Sequence, residues 1–598
     1  MKLKLLAAWA RRVIHWVNRM GFKRALEGVR WKCKTALYKR YLSLQDRLGW
    51  YTYADWLREN DPEPLPASGA KLEFGFLIPV VPEGVGFLRL TLASLQAQTY
   101  PRWRAWLVYE LGTGEAIRQV IAALPDGEQR VHQLELDSGI ALADGFGIAL
   151  EAANSDWIGV LGCGDRLHPA ALSIFQDAIH RYPHAQVIYT DEDQLSQDGN
   201  RRHSPFFKPD WSPELLLSVN FLRHAIFHQQ ALREAARHNA DCEGAQYRCA
   251  RQVTCIVHLP QVLFHCHALG ARPWISLFPR EETLKTYLQQ SGLEEVQCHS
   301  DRRGVLRLTW RLEPALVSII IPTCDQVLYL KRCIQSILER TPSPPFEIIL
   351  VENNSRQAET FAYYEQLERS GIARLLRLSG AFNYSAANNL GAQHARGNLL
   401  LFLNNDIEVI EAGWLDELAR WSICLEVGVV GGKMLYPNGA IQHAGIVFGM
   451  EGHASHVFAG EKEGSTGLFG SVDWYRNYLA VTGACMLMRR EVFQQVGGFD
   501  ERFTLAFSDI DLCLRVYEAG YRIVYTPYAR LRHYEGRTRY GRIPSGDIQL
   551  GAQRFRRIVS AGDPFYNPNL SLSVKVPTLR RSNEESPLER LENIVRYG

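Results

Sequence analysis

The chain has 598 residues, too many for a single hydrophobic core, and we therefore expect two or three domains. Its 46% hydrophobic and 22% charged residues are typical of a soluble globular protein. The net charge is only +3, but residues 1–50 hold 13 Lys or Arg against 2 Asp or Glu. This uneven distribution predicts that the N-terminal segment meets an anionic surface.

Residues 1–58 are predicted to form a basic amphipathic helical region. Apolar residues recur at helical spacing between Leu3 and Met20, with arginines and lysines among them. Such a helix suits a membrane interface, and packing on the body of the protein is the alternative. We expect no nucleic-acid partner, because no nucleic-acid module follows. No apolar run approaches the roughly 20 residues of a membrane span.

The start of the chain lacks the apolar stretch and cleavage site of a signal peptide. The twelve cysteines form no Cys-x-x-Cys pair. Some of them lie near histidines and invite a zinc interpretation, but their intervals match no known zinc pattern: Cys242, Cys249, Cys255 and Cys266, with His258, His265 and His267. We therefore expect scattered reduced thiols in a cytoplasmic protein.

Strands and helices alternate in two long segments of the chain. Residues 59–71 are a Pro-rich linker, and residues 72–270 follow with predicted strands at 72–81, 105–109 and 157–161 and a helix at 88–98. A polar connector, 271–314, leads to a second segment, 315–570, and a tail, 571–598. In the second segment we predict strands at 317–323, 346–351 and 399–403 and helices at 328–339 and 385–395. This alternation indicates α/β domains with mainly parallel sheets.

The two segments repeat each other in type and order. Ile78-Pro79 corresponds to Ile321-Pro322, and GVLGCGD corresponds to LLFLNND. A long segment that is repeated once indicates tandem domains.

The apolar run LLLFL ends abruptly in Asn404, Asn405 and Asp406. A short run of this kind is typical of a buried parallel strand, and ligands lie beyond the carboxyl ends of such strands. Asp406 is therefore a candidate for contacting a ligand, or a metal on a ligand. Taken alone, the same residues would also suit a turn or a helix cap.

Seven motifs in the second segment together resemble the inverting family 2 glycosyltransferases with the GT-A fold. The resemblance is strongest to the rhamnosyltransferase-like enzymes of O-antigen-type surface polysaccharide synthesis. The motifs are VSIIIPT, ILVENNS, FNYSAANNLGAQHARGNLLLFLNNDIEV, GVVGGKMLYPNGAIQHAG, VTGACMLMRREVFQQVGGFDERF, FSDIDLCLRVYEAGYRIVYTPYARLRHYEG and DPFYNPNLSL.

The resemblance implies two tandem GT-A domains, which are Rossmann-like with mainly parallel sheets. It also implies an inverting transferase that moves a sugar from a nucleotide-diphosphate donor, such as dTDP-rhamnose or a UDP-sugar, to a growing bacterial surface glycan. The implied acceptor is lipid-linked. The implied location is the cytoplasmic side of the inner membrane, with the protein bound peripherally.

The resemblance assigns roles to residues of the second segment. Asp509 would be the general base, supported by Asp511 and Arg515. Asp406 and His533 would bind a divalent cation, Mn or Mg. The donor side would be formed by Pro322, Thr323, Glu352, Asn354, Asn388, Asn404 and Asp406. This sequence departs from the family pattern at Glu352 and Asn404, where Asp is usual, and at Ser508, where Glu is frequent.

These residue types suit the chemistry of sugar transfer. A divalent cation on oxygen ligands neutralises the charge that develops on a diphosphate leaving group. A carboxylate that takes the proton of the acceptor hydroxyl makes that hydroxyl a nucleophile. Asp509 begins a helical run, where backbone N–H groups favour its charged form. Taken alone, however, it would suit a helix cap.

The first segment lacks acids at the corresponding positions. Tyr109 replaces the base-binding acid, Gly162 and Gly164 replace the Asp-x-Asp acids, and 246–248 reads Gln-Tyr-Arg. We therefore predict a degenerate transferase domain that scaffolds the second or holds acceptor glycan. One competing hypothesis is a wholly non-catalytic glycan-binding or scaffold protein. The other is a nucleotidyltransferase, which would need a Gly-rich basic loop where Cys324 to Val327 stand.

Overall fold

The computed structural model describes residues 22–66, 71–124, 129–237, 241–300, 306–312, 315–534 and 543–597. Residues 1–21, which hold the first part of the predicted amphipathic helix, lie outside the described residues. Among the described residues, no helix has both the length and the apolar character needed to cross a membrane.

The first unit is built on a sheet that has nine strands among the described residues, in the order β3-β2-β1-β4-β8-β6-β9-β5, with β7 beside β6. The strands are β1 Phe74–Pro79, β2 Trp103–Tyr109, β3 Val131–Glu135, β4 Trp157–Val160, β5 Arg166–Leu167, β6 Val187–Leu195, β7 Arg202–Phe206, β8 Ile226–His228 and β9 Ile256–His267. The helices of this unit are Val85–Gln96, Gly114–Ala122, Gly145–Ala152, Ala171–Arg181, Pro213–Leu216, Gln229–Ala236 and Cys242–Gln252.

Between the two units, the predicted connector has structure of its own. It forms the helix Glu281–Gln289 and an antiparallel hairpin of β10 Gln297–Ser300 and β11 Leu306–Thr309.

The second unit has a sheet of ten strands within the described part of the chain, in the order β14-β13-β12-β15-β24-β17-β25-β16, with β18 beside β17 and β23 beside β25. Its strands are β12 Val317–Thr323, β13 Phe346–Glu352, β14 Ala373–Arg377, β15 Leu399–Leu403, β16 Ile407–Val409, β17 Val427–Leu435, β18 Ile441–His443, β23 Arg476–Tyr478, β24 Cys485–Arg489 and β25 Arg522–His533. Two small hairpins, β19 Ile446–Phe448 with β20 Ala454–His456 and β21 Thr466–Gly467 with β22 Gly470–Ser471, lie outside it.

The helices of the second unit include those predicted at 328–339 and 385–395, which span Val327–Arg340 and Tyr384–His394. The others are Ala358–Arg369, Trp414–Arg420, Arg490–Gln495, Ser508–Glu518 and Ser545–Ala561, and the predicted tail contains Pro587–Tyr597.

The two sheets have the same topology along their main paths of eight strands, although the second sheet has an additional strand, β23, beside β25. In each, four parallel strands are followed by an antiparallel neighbour, β8 or β24. In each, two long parallel strands then end in a short antiparallel one, β5 or β16. This duplication confirms the prediction of tandem α/β units with mainly parallel sheets of the GT-A type.

Strand β15 lies at the centre of the second sheet, and all five of its residues are buried. It is parallel to β12 and antiparallel to β24. Its continuous apolar sequence follows from burial on both faces of the sheet. Gly397 precedes the strand because a Cβ there would collide with the carbonyl oxygen of Leu316.

The described part of the basic region, helix Phe22–Leu48, packs on the body of the protein through one face. The Nε1 of Trp31 donates to Glu585 at 3.0 Å, and the Trp31 ring lies 6.1 Å from that of Tyr597. Lys39 forms an ion pair with Glu451. The opposite face exposes basic residues and Leu37 to solvent.

Buried polar contacts join the two units. Ser212 donates to Asn477 at 2.8 Å, and the Tyr475 N–H donates to Ser218 at 2.9 Å. Glu214 pairs with Arg522 at 3.0 Å. A single cluster of buried apolar side chains also includes residues of both units.

A second contact between the units centres on the buried carboxylate of Asp191 in β6. Asn567 donates to both of its oxygens, at 3.0 and 2.8 Å, and to the carbonyl of Lys208 at 2.8 Å. The Nε2 of His258 lies 3.0 Å from Asp191, and its Nδ1 lies 3.1 Å from Asp210. Burial would lower the pKa of His258, but these two carboxylates outweigh it and raise the pKa above its ordinary value.

We expect His258→Gln to lower the thermal midpoint by a few degrees at about pH 6 and by less at about pH 9. The folded-state pKa lies above the unfolded value of about 6.5, so the stabilisation is complete below that value and is lost as pH rises through the folded pKa. Thermal unfolding of both proteins across this range measures the difference. The exposed control His180→Gln should show none, and a His258→Gln deficit that is independent of pH would contradict the assignment.

Candidate active site

Asp406 and His533 lie side by side at the carboxyl edge of the second sheet. Strand β16 pairs Ile407 with His533, which brings the preceding Asp406 next to the histidine ring. The Oδ1 of Asp406 lies 3.1 Å from His533 Nε2, and both side chains are almost fully buried. Asn404 Nδ2 lies 3.4 Å from the same ring nitrogen.

A hydrogen bond at the other ring nitrogen of His533, Nδ1, determines the tautomer of the ring. Nδ1 lies 2.9 Å from Gln442 Oε1, so it carries the proton and donates to that oxygen. The lone pair of Nε2 then faces the Asp406 carboxylate, so the ring nitrogen and the carboxylate oxygen are two hydrogen-bond acceptors in contact with each other. A cation between them, or a second proton on the ring, satisfies both. Carboxylate oxygen and oriented imidazole nitrogen therefore fit a divalent cation.

Asp509 is the second residue of helix Ser508–Glu518. Its Oδ2 accepts from the Gly483 N–H at 2.7 Å, and its Oδ1 accepts from the Ile510 N–H at 3.0 Å. The carbonyl of Ala484, the residue after Gly483, accepts from the Asn404 N–H at 3.1 Å. The turn at 482–484 thus joins Asp509 to the Asn404–Asp406 segment.

The space between these groups is a pocket of about 190 Å³. Asn404, His533 and Asp509 line it, together with Thr482 and His456. The carboxylate of Asp509 and the imidazole that contacts Asp406 therefore open on one cleft.

The predicted donor-side residues of β12 and β13 lie at the same edge of the sheet. Thr323 pairs with Glu352 across the two strands, and its Oγ1 accepts from Asn405 Nδ2 at 3.3 Å. Glu352 accepts from the Ser355 N–H at 2.7 Å. Pro322 is buried within β12, whereas Asn354 is exposed and in the left-handed region, with φ of 64°.

Asn388 is buried inside helix Tyr384–His394 and does not line the pocket. Its Nδ2 donates to the Tyr384 carbonyl at 2.9 Å, and its Oδ1 has no hydrogen-bond partner among the residues described. Tyr384 of the same helix does line the pocket, and its hydroxyl donates to the Gly483 carbonyl at 3.0 Å.

Asp511 and Arg515 lie behind the pocket. Asp511 accepts from Arg515 Nε at 2.9 Å and pairs with Arg554 at 2.9 Å. Arg515 also donates to the Gly498 carbonyl at 2.7 Å. These ion pairs of the buried Asp511 carboxylate hold the helix of Asp509 against a neighbouring loop and against helix Ser545–Ala561.

Sequence reasoning did not identify Asp547 or Gln442. The buried carboxylate of Asp547 accepts from the N–H groups of Leu505 and Ala506, at 2.9 and 2.8 Å, and so holds the loop that leads to Asp509. Nothing in its local sequence signals this role. Gln442 lies within GVVGGKMLYPNGAIQHAG, one of the motifs that carry the family resemblance, and this motif is the sequence signal from which Gln442 could have been found.

The first unit contains a carboxylate equivalent to Asp406. Strand β5 pairs Arg166 with His265, as β16 pairs Ile407 with His533. Asp165 therefore stands where Asp406 stands, as the correspondence of GVLGCGD with LLFLNND indicates, and Gly164, which the comparison of the Asp-x-Asp positions placed there, does not. Arg272 forms an ion pair with Asp165. Burial would raise the pKa of Asp165, but His224 and Arg272 hold it below its usual range.

Glu192, His224 and Cys266 place possible metal-ligand atoms within 4.8 Å of one another in the first unit. Lys208 lies 2.9 Å from Glu192, and Arg223 and His224 also contact that carboxylate. This positive charge disfavours a metal ion there. All twelve cysteines are free, as expected from the sequence.

The first unit also differs from the second around the position that corresponds to Asp509. Helix Cys242–Gln252 occupies the place of helix Ser508–Glu518, between the corresponding strands. The second residue of this helix, where Asp509 stands in the other helix, is Glu243, whose Oε1 accepts from the Arg280 N–H at 2.9 Å. Gln246, which the sequence comparison placed there, lies three residues further along and is buried, and neither polar atom of its side chain has a hydrogen-bond partner within the described residues. Tyr247 donates to the Leu216 carbonyl at 2.8 Å.

The sheet topology of the second unit and the cleft at the carboxyl edge of its sheet suit a domain of the GT-A type. Residues 318–497 match the model of Glycosyl transferase family 2, and the second unit is a member of that family.

The chain is similar to the O-antigen biosynthesis protein RfbC of Myxococcus xanthus, with 37% identity over 561 residues. This alignment covers 89% of the chain and 44% of the relative. It is also similar to an N-acetylglucosaminyl-diphospho-decaprenol L-rhamnosyltransferase of Mycobacterium tuberculosis, with 41% identity over 68 residues. That alignment covers 11% of the chain and 22% of the relative. The chain thus spans less than half the length of these curated relatives. A solved structure of GalNAc-T7 with UDP, GalNAc and Mn2+ aligns with 17% identity over 46% of this chain and 57% of that chain, with a TM-score of 0.34.

The contact between the 482–484 turn and Asp509 leaves no room for a side chain at Gly483. A Cβ there would lie 2.8 Å from the Tyr384 hydroxyl and 3.1 Å from the Cβ of Asp509. We expect Gly483→Ala to destabilise the protein by about 1–3 kcal/mol through overpacking, as measured by denaturant titration. Gly467→Ala is the matched control, because nothing lies within 4 Å of a Cβ there. Equal unfolding midpoints for the two variants would contradict the packing.

Proposed function

We propose that the protein is an inverting glycosyltransferase that moves a sugar from a nucleotide-diphosphate donor to a growing bacterial surface glycan. One observation carries the proposal. Asp509 and the His533 ring that contacts Asp406 open on one pocket, within a family 2 domain and at the carboxyl edge of its sheet. Ligands of open α/β sheets bind at that edge.

In the proposed reaction, Asp509 accepts the proton of an acceptor hydroxyl. The hydroxyl oxygen forms a bond to the anomeric carbon of the donor sugar while the bond to the diphosphate breaks, and the configuration inverts. The two N–H groups of Gly483 and Ile510 keep the carboxylate of Asp509 oriented toward the pocket.

Asp406 and His533, with Asn404 beside them, would hold Mn or Mg. When bound, the cation supplies neutralisation of the leaving diphosphate. Gln442 keeps the lone pair of His533 Nε2 directed at the cation position. Thr323, Glu352 and Asn354, with Pro322 below them, would contact the nucleotide. Asn388 would support this side from within its helix, and Asp511 and Arg515 would position the helix of Asp509.

The donor is proposed to be dTDP-rhamnose or a UDP-sugar, and the acceptor a lipid-linked glycan. The support is the names of the relatives, of which one concerns O-antigen biosynthesis and the other a rhamnosyltransferase of a diphospho-decaprenol-linked sugar.

The first unit, which we assign to residues 72–270, is proposed to be a non-catalytic scaffold for the catalytic unit at 315–570. Arg272 forms an ion pair with the buried Asp165, and this positive charge disfavours a metal ion there. Glu243, at the helix position of Asp509, is buried and paired with Arg280, so it offers no free base. The links from Asn567 to Asp191 and from Asn477 to Ser212 support the scaffold role.

Asp509→Asn should reduce sugar transfer by at least about a hundredfold, because the amide cannot accept the proton. The assay follows release of nucleoside diphosphate from dTDP-rhamnose and UDP-sugars with Mn2+, using synthetic lipid-diphospho-N-acetylglucosamine as acceptor. Asp406→Asn should instead weaken the Mn2+-dependent rise in thermal midpoint that the donor produces.

The exposed control Asp137→Asn should leave both readouts unchanged. Unaltered transfer by Asp509→Asn would contradict the role of Asp509 and favour either a non-catalytic second unit or activity in the first. Release of pyrophosphate would indicate a nucleotidyltransferase.

The protein is further proposed to bind the inner face of the cytoplasmic membrane peripherally through helix Phe22–Leu48. Arg30, Lys34 and Arg40 are exposed on this helix, and Leu37 is 66% exposed. Basic residues with an apolar side chain among them suit an anionic lipid surface.

Replacing Arg30, Lys34 and Arg40 with Glu should weaken binding to phosphatidylglycerol vesicles by about tenfold or more, since each basic residue near such a surface contributes about 1 kcal/mol. Vesicle sedimentation at fixed salt measures the binding. A control with Glu at exposed Arg118, Arg237 and Arg369 should bind as the unaltered protein does. Equal loss in both triple variants would mean that only net charge matters, and the helix would not be the contact.

A further inference from the structure

The β19–β20 hairpin forms part of the wall of the pocket that Asp509 lines, since residues 454–456 of β20 face that pocket. The turn that joins the two strands, residues 449–453, contacts two helices that are far apart in the sequence, Phe22–Leu48 and Pro587–Tyr597. The reaction proposed above uses none of these contacts.

Helix Pro587–Tyr597 packs directly on this turn. A Cβ at Gly452 would collide with the side chain of Ile594, and φ at Gly452 is 117°, which glycine adopts without strain. The N–H of Glu451, the preceding residue, donates to the Leu572 carbonyl at 2.9 Å. The turn is therefore shaped to fit the helix and the segment that leads to it.

Helix Phe22–Leu48 reaches the same turn through Lys39. Lys39 forms an ion pair with Glu451, and Lys575 lies 3.6 Å from the same carboxylate. Burial would raise the pKa of Glu451, but the hydrogen bond from Lys39 and the charges of both lysines hold it below its ordinary value. The hydroxyl of Ser455 donates to Glu451 Oε2 at 3.0 Å. The carboxylate thus links the helix to a residue of the pocket wall.

The turn also contacts the segment that leads to Asp509. The ring of His453 stacks on the ring of Phe507, with the centroids 5.0 Å apart and the planes 15° from parallel. Phe507 lines the pocket, and helix Ser508–Glu518, which carries Asp509, begins at the next residue. A displacement of the turn would therefore act on both the pocket wall and the start of this helix.

Helix Phe22–Leu48 can contact lipid without leaving this position. Trp31 and Lys39 contact the body of the protein, whereas Leu37 and the basic residues proposed above for lipid binding are exposed. A lipid surface that binds the helix in its docked position stabilises that position over detached ones. By linkage, it also stabilises every contact that only the docked helix makes.

We propose that the turn at 449–453 couples membrane binding to catalysis. An anionic lipid surface holds helix Phe22–Leu48 in its docked position, and Lys39 and Glu451 act as positioning residues that keep the pocket wall and Asp509 in their working geometry. The proposal rests on the reaction and the membrane contact proposed above, and it adds a link between them. It predicts that a lipid surface stimulates transfer even when the acceptor is not in that surface.

The kinetic test uses a short-chain, water-soluble diphospho-N-acetylglucosamine as acceptor, so that vesicles cannot act by concentrating it. With saturating phosphatidylglycerol vesicles, the kcat of the unaltered full-length protein should rise about fivefold, which is at the low end of coupling between two sites. Lys39→Gln should reduce this gain to less than about twofold with the acceptor KM unchanged, because one partly exposed ion pair is lost. Lys39→Arg should keep the gain. Vesicle sedimentation shows that each variant is bound.

Lys285→Gln is the matched control, because Lys285 also forms a partly exposed ion pair, 2.9 Å from Glu281 in the connector helix. This variant should keep the whole gain. An equal loss in Lys285→Gln, an undiminished gain in Lys39→Gln, or no stimulation of the unaltered protein would overturn the proposal. Failure of the unaltered protein to bind the vesicles would overturn it as well.

Hydrogen exchange needs no turnover and so separates this proposal from the proposed reaction. In the unaltered protein, the vesicles should slow the exchange of backbone N–H groups in the turn at 449–453 by about fivefold, because the docked helix restrains local opening. The effect should be smaller in Lys39→Gln. Slowed exchange without transfer would count against the proposed reaction alone. Unchanged exchange would overturn the coupling even if transfer were observed.

Discussion

The pairing of β16 with β25 is the constraint on which the site depends. It sets Ile407 opposite His533 and so places Asp406, one residue earlier, beside the histidine ring. A shift by one residue would turn every side chain of β16 to the other face of the sheet. Strand β25 is held in turn by its long parallel pairing with β17 and by the antiparallel strand β23. The core of the sheet thus determines the relative position of the Asp406 carboxylate and the His533 ring.

The first unit preserves this pairing and changes its electrostatics. Asp165 keeps the place of Asp406, but Arg272 neutralises it within the chain, and Glu192 nearby is neutralised by Lys208, Arg223 and His224. The first unit thus has an ion pair between Arg272 and Asp165 where the second unit has the carboxylate of Asp406 facing the Nε2 of His533. The same fold therefore gives a closed polar core in one unit and an open cleft in the other.

The fold was largely predictable from the sequence because the strongest signals were local. The apolar runs at Val317–Thr323 and Leu399–Leu403 become strands with the predicted bounds. Other elements differ at their ends by a few residues, since apolar periodicity does not determine where a helix or strand stops. The two sequence comparisons disagreed on whether Asp165 or Gly164 corresponds to Asp406, because an additional residue in a turn changes no hydrophobic pattern.

The non-local parts of the site could not be predicted. The hydrogen bond between His443 and His456 depends on the approach of β18 and β20, and the contact of Asp547 with 505–506 depends on how a distant helix packs. A lone histidine in a sequence carries no information on its partner, and therefore none on its tautomer. Gln442 lies within one of the motifs that carry the family resemblance, but the motif does not show which ring nitrogen of His533 the glutamine contacts.

The contacts between the units connect the first unit to the wall of the cleft. Asn567 binds Asp191 of the first unit, and Asp563, four residues earlier, accepts from the N–H of Phe448 at 2.9 Å. Burial raises the pKa of Asp563 to about 7, which marks this contact as deeply desolvated. Phe448 belongs to β19, whose partner β20 carries His456. Hydrogen bonds and the short chain segment 563–567 thus connect the first unit to the wall of the pocket, and they give the first unit a physical means of influencing the shape of the cleft.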